Sequence, residues 1–535
     1  MQLFTENTMW RRYPLQDRYD VVIIGAGVHG LSTAYYLAKQ GITNVAVIDK
    51  GYVGGGASGR NTAIIRANYL TKQGIPFFRE SLRLYQDLAK ELNFNLLFDQ
   101  SGRLDLGHTD SAVYGLRMRT GVNRLLGVDS QMIGPSEIKK LVSAIDLREN
   151  KPLPILAALY QSTAGVVRHD AVVWGYGRGA DRLGVEIHPF TEVTGIVREN
   201  GQVVGVDVGE QRVGADIVMS ATAGWSSNIA RMVDLTLPLV THPLQAFVTE
   251  PLKPFIKRSV SSANLHVYVY QTDRGEVVVG GGVDPYSSYS QRSTLQTLEH
   301  LAANTLELFP FLRGVNVMRQ WAGLCDMSPD YAPIMGKVDG LPGFLLSCGW
   351  GTWGFKAGPI GGFTMAELIA TGKTPDLIEP FNLRRFASGK LVNERAAAPA
   401  ARAAHIPMLA FSSDRRVGGD GVYALGFLPE EQVDRIVSFA VSRGMKNFAA
   451  LAPDNFYGAT VLDALRAASS NFGAEVVAAQ FYDPYAQDFT KVVRALANYD
   501  SRRYALLSQR KELERTNDKI SRQTLKRLAD FTIAT

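Results

Sequence analysis

Apolar and polar positions change period several times along the chain, and each change marks an element. Val21-Val22-Ile23-Ile24 is an unbroken β-branched run, the pattern of a strand buried on both faces. Leu31 to Lys39 then takes a helical period, and Asn44 to Asp49 returns to a strand pattern. Phe78, Leu82, Tyr85, Leu88 and Leu92 place a helix over 76–95, and Leu104 to Gly107 reads as a short strand. Residues 110–147 read as helices around a loop, and 171–184 as a further helix. Strands are predicted at 185–188 and 191–197, with 203–208 completing a hairpin, and at 215–226, ending in a small-residue turn. Alternation at 243–249, 265–271 and 276–283, with turn residues between, predicts an antiparallel sheet. A helix at about 293–309 and a small-residue helix ending near Ile369 follow.

The fold class predicted from these patterns is α/β (α+β overall): a Rossmann-like domain with an antiparallel-sheet substrate domain. With 535 residues the chain has room for several domains. Its 46% hydrophobic and 20% charged residues are those of a soluble globular protein. The net charge is +6, but no Lys/Arg stripe carries interleaved aromatics, so no nucleic-acid partner is expected. The two cysteines, Cys325 and Cys348, form no CxxC pair, which excludes a disulfide scaffold and gives no metal site. Met1 to Tyr13 lacks a signal-peptide core and no long uncharged apolar run follows, so the expectation is a cytoplasmic protein outside the membrane.

The first strand, helix and second strand enclose Gly25-Ala26-Gly27-Val28-His29-Gly30, with Asp49 at the far end. This is a G-x-G-x-x-G turn in a βαβ unit. Gly25 allows the turn, Gly27 lets a pyrophosphate approach the backbone, and Gly30 allows close packing of helix and strand. The helix N-terminus offers free N–H groups to phosphates, and Asp49 can accept from an adenosine ribose. A second glycine-rich loop, Gly51 to Asn61, either wraps the pyrophosphate or is a flexible turn. Arg66 follows apolar residues and is either paired structurally or aimed at an anion such as a substrate carboxylate. His169 lies between Arg168 and Asp170, where a helix-capping or surface role is the plain alternative to a chemical one.

Several stretches together resemble the amine-oxidising flavoproteins that include sarcosine oxidase, dimethylglycine dehydrogenase and D-amino-acid oxidase. These are Gly25 to Gly30, Gly59 to Tyr69, Arg168-His169-Asp170, His242 to Gln245, His266-Val-Tyr268-Val and Cys348 to Lys356. Over about residues 15–400 the resemblance is closer to beta subunits of heterotetrameric sarcosine oxidase. It implies noncovalent FAD at Gly25, Ala26, Gly27, His29, Gly30 and Asp49, with Lys50, Ser58, Arg60, Asn61 and Thr62 beside it. It also assigns FAD contacts to Val193, Gly224, Gly351, Gly354 and Lys356. A covalent FMN is implied on His169, at the contact with an alpha subunit. Arg66 and Lys356 would hold the carboxylate of sarcosine or a related N-methyl amino acid, with His266 and Tyr268 lining the active site. Electrons would pass from FAD to FMN and then to O2, giving hydrogen peroxide. The one-carbon unit would go to tetrahydrofolate on a partner, and the partners implied are alpha, gamma and delta subunits. Cys325 departs from that pattern and is either a flavin link, as in monomeric relatives, or a buried small apolar residue. Alternatives are an oxidase or dehydrogenase of another secondary amine or imino acid, or a non-enzymatic binding protein acting through the tail.

The implied domain plan is an oxidoreductase region over 1–395. Its FAD-binding segments are expected at about 18–70, 150–230 and 325–375, and its substrate-domain segments at about 75–150 and 235–320. An Ala/Pro-rich linker at 396–406 follows. Beyond it the chain starts afresh as α/β: strands at 407–411, 448–453 and 475–481, helices at 429–443 and 459–472, and a charged helix at 501–528. Tyr423 to Gln432 and Leu451 to Gly458 resemble part of a type I periplasmic-binding fold, near the penicillin-binding-protein activators. The tail, 407–535, is expected to be a partial fragment carried as a passenger, either a natural fusion or two joined reading frames.

Overall fold

Four consecutive β-branched residues cannot all hide on one face of a sheet, so their strand has to be central. In the computed structural model, β1 (Arg18–Ile24) pairs in parallel with Gln211–Ser220 on one side and with β2 (Val45–Ile48) on the other. Val21 and Ile23 enter the core beneath the helices, while Val22 and Ile24 enter the core on the opposite face. The structure describes residues 9–392, 408–410, 422–424, 429–454, 456–483, 488–516 and 518–531. The chain divides into two units, Met1–Ala404 and His405–Thr535.

Among the described residues the first unit carries two eight-stranded sheets. The first runs Ile334–Lys337, Phe344–Cys348, Gln211–Ser220, β1, β2, Glu186–His188, with the hairpin Gly195–Glu199 and Gln202–Val208 attached to Gln211–Ser220. α1 (Val28–Lys39) joins β1 to β2 and is buried over nearly its whole length, because helices His169–Arg182 and Gly358–Thr371 pack on it. The second contact needs glycine. A Cβ at Gly362 would lie 2.2 Å from Ser32 Oγ, and one at Gly358 2.3 Å from Val28 Cγ2. The small-residue character of the last helix is therefore a docking surface for α1.

The second sheet runs Val317–Met327, Val240–Pro251, Glu276–Val283, Val267–Gln271, Ser259–Ser262, Arg103–Gly107, Ala157–Gln161, Ser130–Ile133. It is antiparallel except where Ser259–Ser262 meets Arg103–Gly107 in parallel. Here the structure departs from the sequence expectation in three places. The region 110–147 holds helices Asp110–Leu125 and Pro135–Leu141, but the strand Ser130–Ile133 lies between them and pairs with Ala157–Gln161. Ala157–Gln161 itself sits in this second sheet rather than with the nucleotide-binding strands. The hairpin strand expected from 191 begins at Gly195. A two-stranded ladder, Ile64–Ile65 with Gly165–Val166, stands apart from both sheets.

In the second unit, Asn447–Pro453 and Glu475–Tyr482 pair in parallel around helix Phe456–Asn471. Met408–Ala410 and Val422–Ala424 form a further parallel pair, and Pro429–Ser442 is a helix. The charged run expected as one helix is two, Tyr499–Thr516 and Lys519–Phe531. The linker expected at 396–406 lies outside the described residues. Val477 is 56% exposed and Ile436 65%, so strand and helix here leave apolar surface uncovered, as a partial α/β layer does. No helix among the described residues is long and apolar enough to cross a membrane.

Candidate active site

β1 ends at Ile24 and the chain turns at once into α1. Gly25 has φ +112°, a conformation that side chains disfavour, and a Cβ at Gly30 would lie 1.9 Å from the Gly25 carbonyl oxygen. Turn and helix thus close only with glycine at both positions. The helix has no side-chain cap of its own. Instead the second glycine-rich loop supplies one: Val28 N–H donates to Ser58 Oγ at 2.9 Å, and Gly54 N–H donates to the Ala26 carbonyl at 2.9 Å. That loop is thereby fixed across the turn. Asp49 lines the cavity beyond the turn, and its two oxygens also accept the N–H groups of Ala26 and Gly51, both at 2.8 Å. The carboxylate therefore orders two loops, and its remaining lone pairs face the cavity.

The cavity is about 750 Å³, within the roughly 300–1,000 Å³ typical of small-molecule sites. It runs from Asp49, Lys50, Val193 and Gly224 past Gly25, Gly27 and Ser58 to Arg66, Tyr268 and Lys356. Arg60, Asn61, Thr62, Gly351 and Gly354 line it as well. Lys50 Nζ lies 3.6 Å over the Trp225 ring at one end. Asn61 shapes the wall by accepting from Ala63 N–H at 2.6 Å, and Thr62 donates to Tyr268 Oη at 3.1 Å. His29 is stacked on Trp350 at 3.9 Å, and its Nε2 donates to the Gly354 carbonyl at 2.9 Å. Burial lowers its pKa to about 3, so the ring is neutral.

Four of the expected site residues lie elsewhere. Ala26 and Gly30 act through the turn and do not line the cavity. His266 does not reach it either: the strand starts one residue later, at Val267, and His266 sits exposed in the preceding turn with φ +48°. The alternation of His266, Tyr268 and Tyr270 suggests one strand face, but the turn takes the histidine out of it. His169 is also outside the cavity, half-buried as the first residue of its helix, with Arg168 and Asp170 paired at 2.6 Å beside it. Burial lowers its pKa, against Asp170 and with Arg168.

The end of the cavity lined by Arg66, Arg103 and Lys356 is cationic. Arg66 donates to Asn68 Oδ1 at 2.8 Å and lies 4.3 Å over the Tyr69 ring. Asn68 in turn donates to Asp105 Oδ2 at 2.7 Å. Asp105 also pairs with Arg103 at 2.8 Å and with Arg119 at 2.6 Å. Burial alone would raise the Asp105 carboxyl; Arg103, Arg119, Arg66 and the Asn68 amide outweigh it and hold it below the usual carboxylate range. Lys356 is held well below the usual lysine range, first by burial and then by Arg66 and Arg103. Arg103 and Asp105 were not singled out from the sequence; the signal available was a charged pair at alternating positions of one strand. Next to them, burial and then Asp326 push the Cys325 thiol up to about 12, so it is neutral in the chain itself. Burial raises the Asp326 carboxyl to about 7, against the Gly349 N–H that it accepts at 2.5 Å.

The wall fits a flavin dinucleotide. His29 Nδ1, Ser347 Oγ and Trp350 Nε1 are buried polar atoms without a hydrogen-bond partner among the described residues, and all three belong to residues lining the cavity. At Gly27 a Cβ would approach only Ser58 Oγ, at 3.0 Å, leaving the backbone open to a pyrophosphate. Residues 20–368 match the FAD dependent oxidoreductase family. The chain belongs to that family. It is 45% identical over 387 residues to sarcosine oxidase subunit beta of Rhizobium meliloti (strain 1021), covering 72% of this chain and 92% of that protein. With the subunit of the same name from Rhodobacter capsulatus it shares 42% over 390 residues, 73% of this chain and 94% of that one. L-proline dehydrogenase from P. horikoshii superposes with a TM-score of 0.67 at 28% identity, covering 70% of this chain and 100% of that one. Glycine oxidase from Geobacillus kaustophilus, at 22% identity, TM-score 0.64, covering 69% of this chain and 99% of that one, shows the same fold. This FAD-dependent oxidoreductase therefore acts on the CH–NH group of an amine, and its resemblance to sarcosine oxidase beta subunits is borne out. Residues 392–501 match the periplasmic binding protein family, in keeping with the resemblance of the tail.

Proposed function

We propose that the chain is a sarcosine oxidase beta-type subunit, demethylating sarcosine or a related N-methyl amino acid to the parent amino acid. The observation that carries this reading is the pairing of a flavin cradle with a cationic end in one cavity. Arg66 and Lys356 would hold the substrate carboxylate, which fixes the small zwitterion by one end. Its N-methyl group is then directed along the cavity toward the flavin end. Tyr268, buried and pushed up to about 12, stays a neutral hydroxyl and serves as wall and hydrogen-bond partner. FAD, when bound, supplies the acceptor for the two electrons lost by the amine.

The reading extends to a second flavin, FMN, carried covalently on His169. Two features support this. The imidazole is neutral, as a nucleophile must be, and Val167 N–H donates to the Ala63 carbonyl at 3.1 Å. That bond and the Ile64–Ile65 ladder tie the His169 segment to the loop carrying Asn61 to Arg66. On this reading alpha, gamma and delta subunits complete the enzyme, O2 is the final acceptor, tetrahydrofolate on the partner takes the one-carbon unit, and the assembly works in the cytoplasm.

The test is a flavin inventory. The chain is purified alone and with an alpha-type subunit, denatured in acid, and the released and retained flavins are separated and mapped. FAD in the supernatant with FMN on the His169 peptide, together with sarcosine-dependent formation of glycine, formaldehyde and hydrogen peroxide, is the expected result. Flavin retained on the Cys325 peptide, or no flavin at all, overturns it.

A further inference from the structure

The cationic end of the cavity holds more charge than one carboxylate requires. Arg66, Arg103 and Lys356 all line it, and Arg119 stands on the same buried carboxylate as Arg103. Asp105 is the acid paired with this group; Asp326 lines the cavity too, but burial keeps its carboxyl tending toward the neutral form. Arg66 and Arg103 are not free to collapse away from each other. Arg103 Nε and Nη2 both lie on Asp105 Oδ1, at 3.0 and 2.8 Å, while Asp105 Oδ2 takes the Asn68 amide that orients Arg66. One buried carboxylate thus fixes two guanidiniums, and Arg103 is only 7% exposed. A rigid, desolvated guanidinium is a stronger anion receptor than a mobile surface cation. A substrate with one carboxylate, held by Arg66 and Lys356, leaves Arg103 facing the cavity with the Asp105 carboxylate, which it shares with Arg119.

We infer that Arg103 gives the pocket a second carboxylate subsite, suited to N-carboxymethyl amino acids, of which iminodiacetate is the simplest. This rests on the reading of Arg66 and Lys356 as the first anchor. In the reaction, iminodiacetate loses a hydride equivalent from one methylene to the bound FAD and a proton from its nitrogen, so two electrons reduce the flavin. Water adds to the resulting C=N bond, and cleavage of C–N yields glycine and glyoxylate.

The test uses the full chain purified with its flavin, and two readouts. Calorimetric titration compares malonate with acetate, neither of which can be oxidised. Steady-state kinetics compare iminodiacetate with sarcosine in the wild type and in Arg103→Gln. Malonate is expected to bind at least about tenfold more tightly than acetate, since a charge-assisted guanidinium contact is worth at least that factor. Arg103→Gln is expected to lower kcat/KM for iminodiacetate at least about tenfold more than for sarcosine, and to remove the malonate advantage. Malonate binding no more tightly than acetate to the wild type overturns the proposal, whether or not the variant folds. Equal losses for the two amines also overturn it, because they assign Arg103 to Asp105 alone. Sarcosine turnover without iminodiacetate turnover sinks the second subsite and leaves the proposed function standing. A malonate advantage without turnover of either amine supports the subsite and places the failure in the sarcosine reading.

Discussion

Ser58 Oγ accepts the backbone N–H of Val28 at 2.9 Å. Two residues thirty positions apart thereby join the second glycine-rich loop to the start of α1, the helix end expected to face the pyrophosphate of FAD. A capping hydroxyl is worth about 1 kcal/mol, range roughly 0.5–2. Ser58→Ala should therefore destabilise the flavin-free chain by about 1 kcal/mol in denaturant unfolding. It should also weaken FAD by about fivefold, because the loop that covers the turn loses its tie. An unchanged FAD dissociation constant in equilibrium dialysis would show that the loop does not help to hold the dinucleotide.

Lys356→Met should raise the dissociation constant of acetate by about 10- to 100-fold, the range for losing a charged hydrogen-bond partner. The pH dependence separates this from a packing effect. The ammonium is the form that binds a carboxylate, and burial with Arg66 and Arg103 lowers the pH at which it is lost. Acetate affinity of the wild type should be flat between acetate's own pKa and that depressed lysine pKa, and fall above it toward the level of the variant. The variant should show no such limb; if both proteins have the same profile, Lys356 is not the titrating anchor.

The parts of this site that were legible in the sequence are those whose chemistry is local. Gly25, Gly30 and Asp49 lie within one βαβ unit, and the backbone itself dictates their spacing. Ser58, Asn61 and Arg66 lie on the segment that leaves that unit, so they could be placed near it. Arg103 and Asp105 could not, because their role arises only when strand Arg103–Gly107 is laid beside Ser259–Ser262 and Ala157–Gln161. His266 misled because an alternating run does not reveal where its strand begins, and a turn at φ +48° takes the first member away. Strand Ser130–Ile133 was hidden for a similar reason: four residues between two helices carry too little pattern to compete with helical neighbours, and only pairing with Ala157–Gln161 makes them a strand.

Asp326 should impose a pH cost on the flavin-free fold. Its carboxyl releases a proton near 3.8 when unfolded and near 7 when folded, because burial disfavours the charge. Between those values the folded chain holds more proton at Asp326 than the unfolded one, so this group's contribution to stability is greatest below 3.8 and declines as pH rises to 7. Asp326→Asn removes that titration. The variant should gain on the wild type by up to about 1.4 kcal/mol per pH unit over this window, and the difference should level off above it. Urea unfolding at a series of pH values measures it; a constant difference from pH 4 to 8 would mean that the carboxylate is ionised throughout.

The last prediction concerns the two units. The cavity is lined by residues between Ile24 and Lys356, and the cores beneath and above the first sheet draw on described residues no later than Val392. Val392 N–H donates to Asp330 Oδ2 at 3.0 Å, within the buried Arg385–Asp330 pair at 2.8 Å, so the segment up to Val392 belongs to the first unit's structure. Breaking a buried pair of this kind costs about 3–5 kcal/mol, which sets how far a truncation can go. A chain ending at Ala404 keeps that pair and should bind FAD with wild-type stoichiometry and reduce it with amine substrate at the wild-type rate. A chain ending at Arg384 loses it and should unfold at markedly lower denaturant concentration. Stopped-flow flavin reduction on the two truncations and the full chain decides the matter: loss of reduction in the 404-residue chain would make the periplasmic-binding-like unit part of the catalytic protein rather than an addition to it.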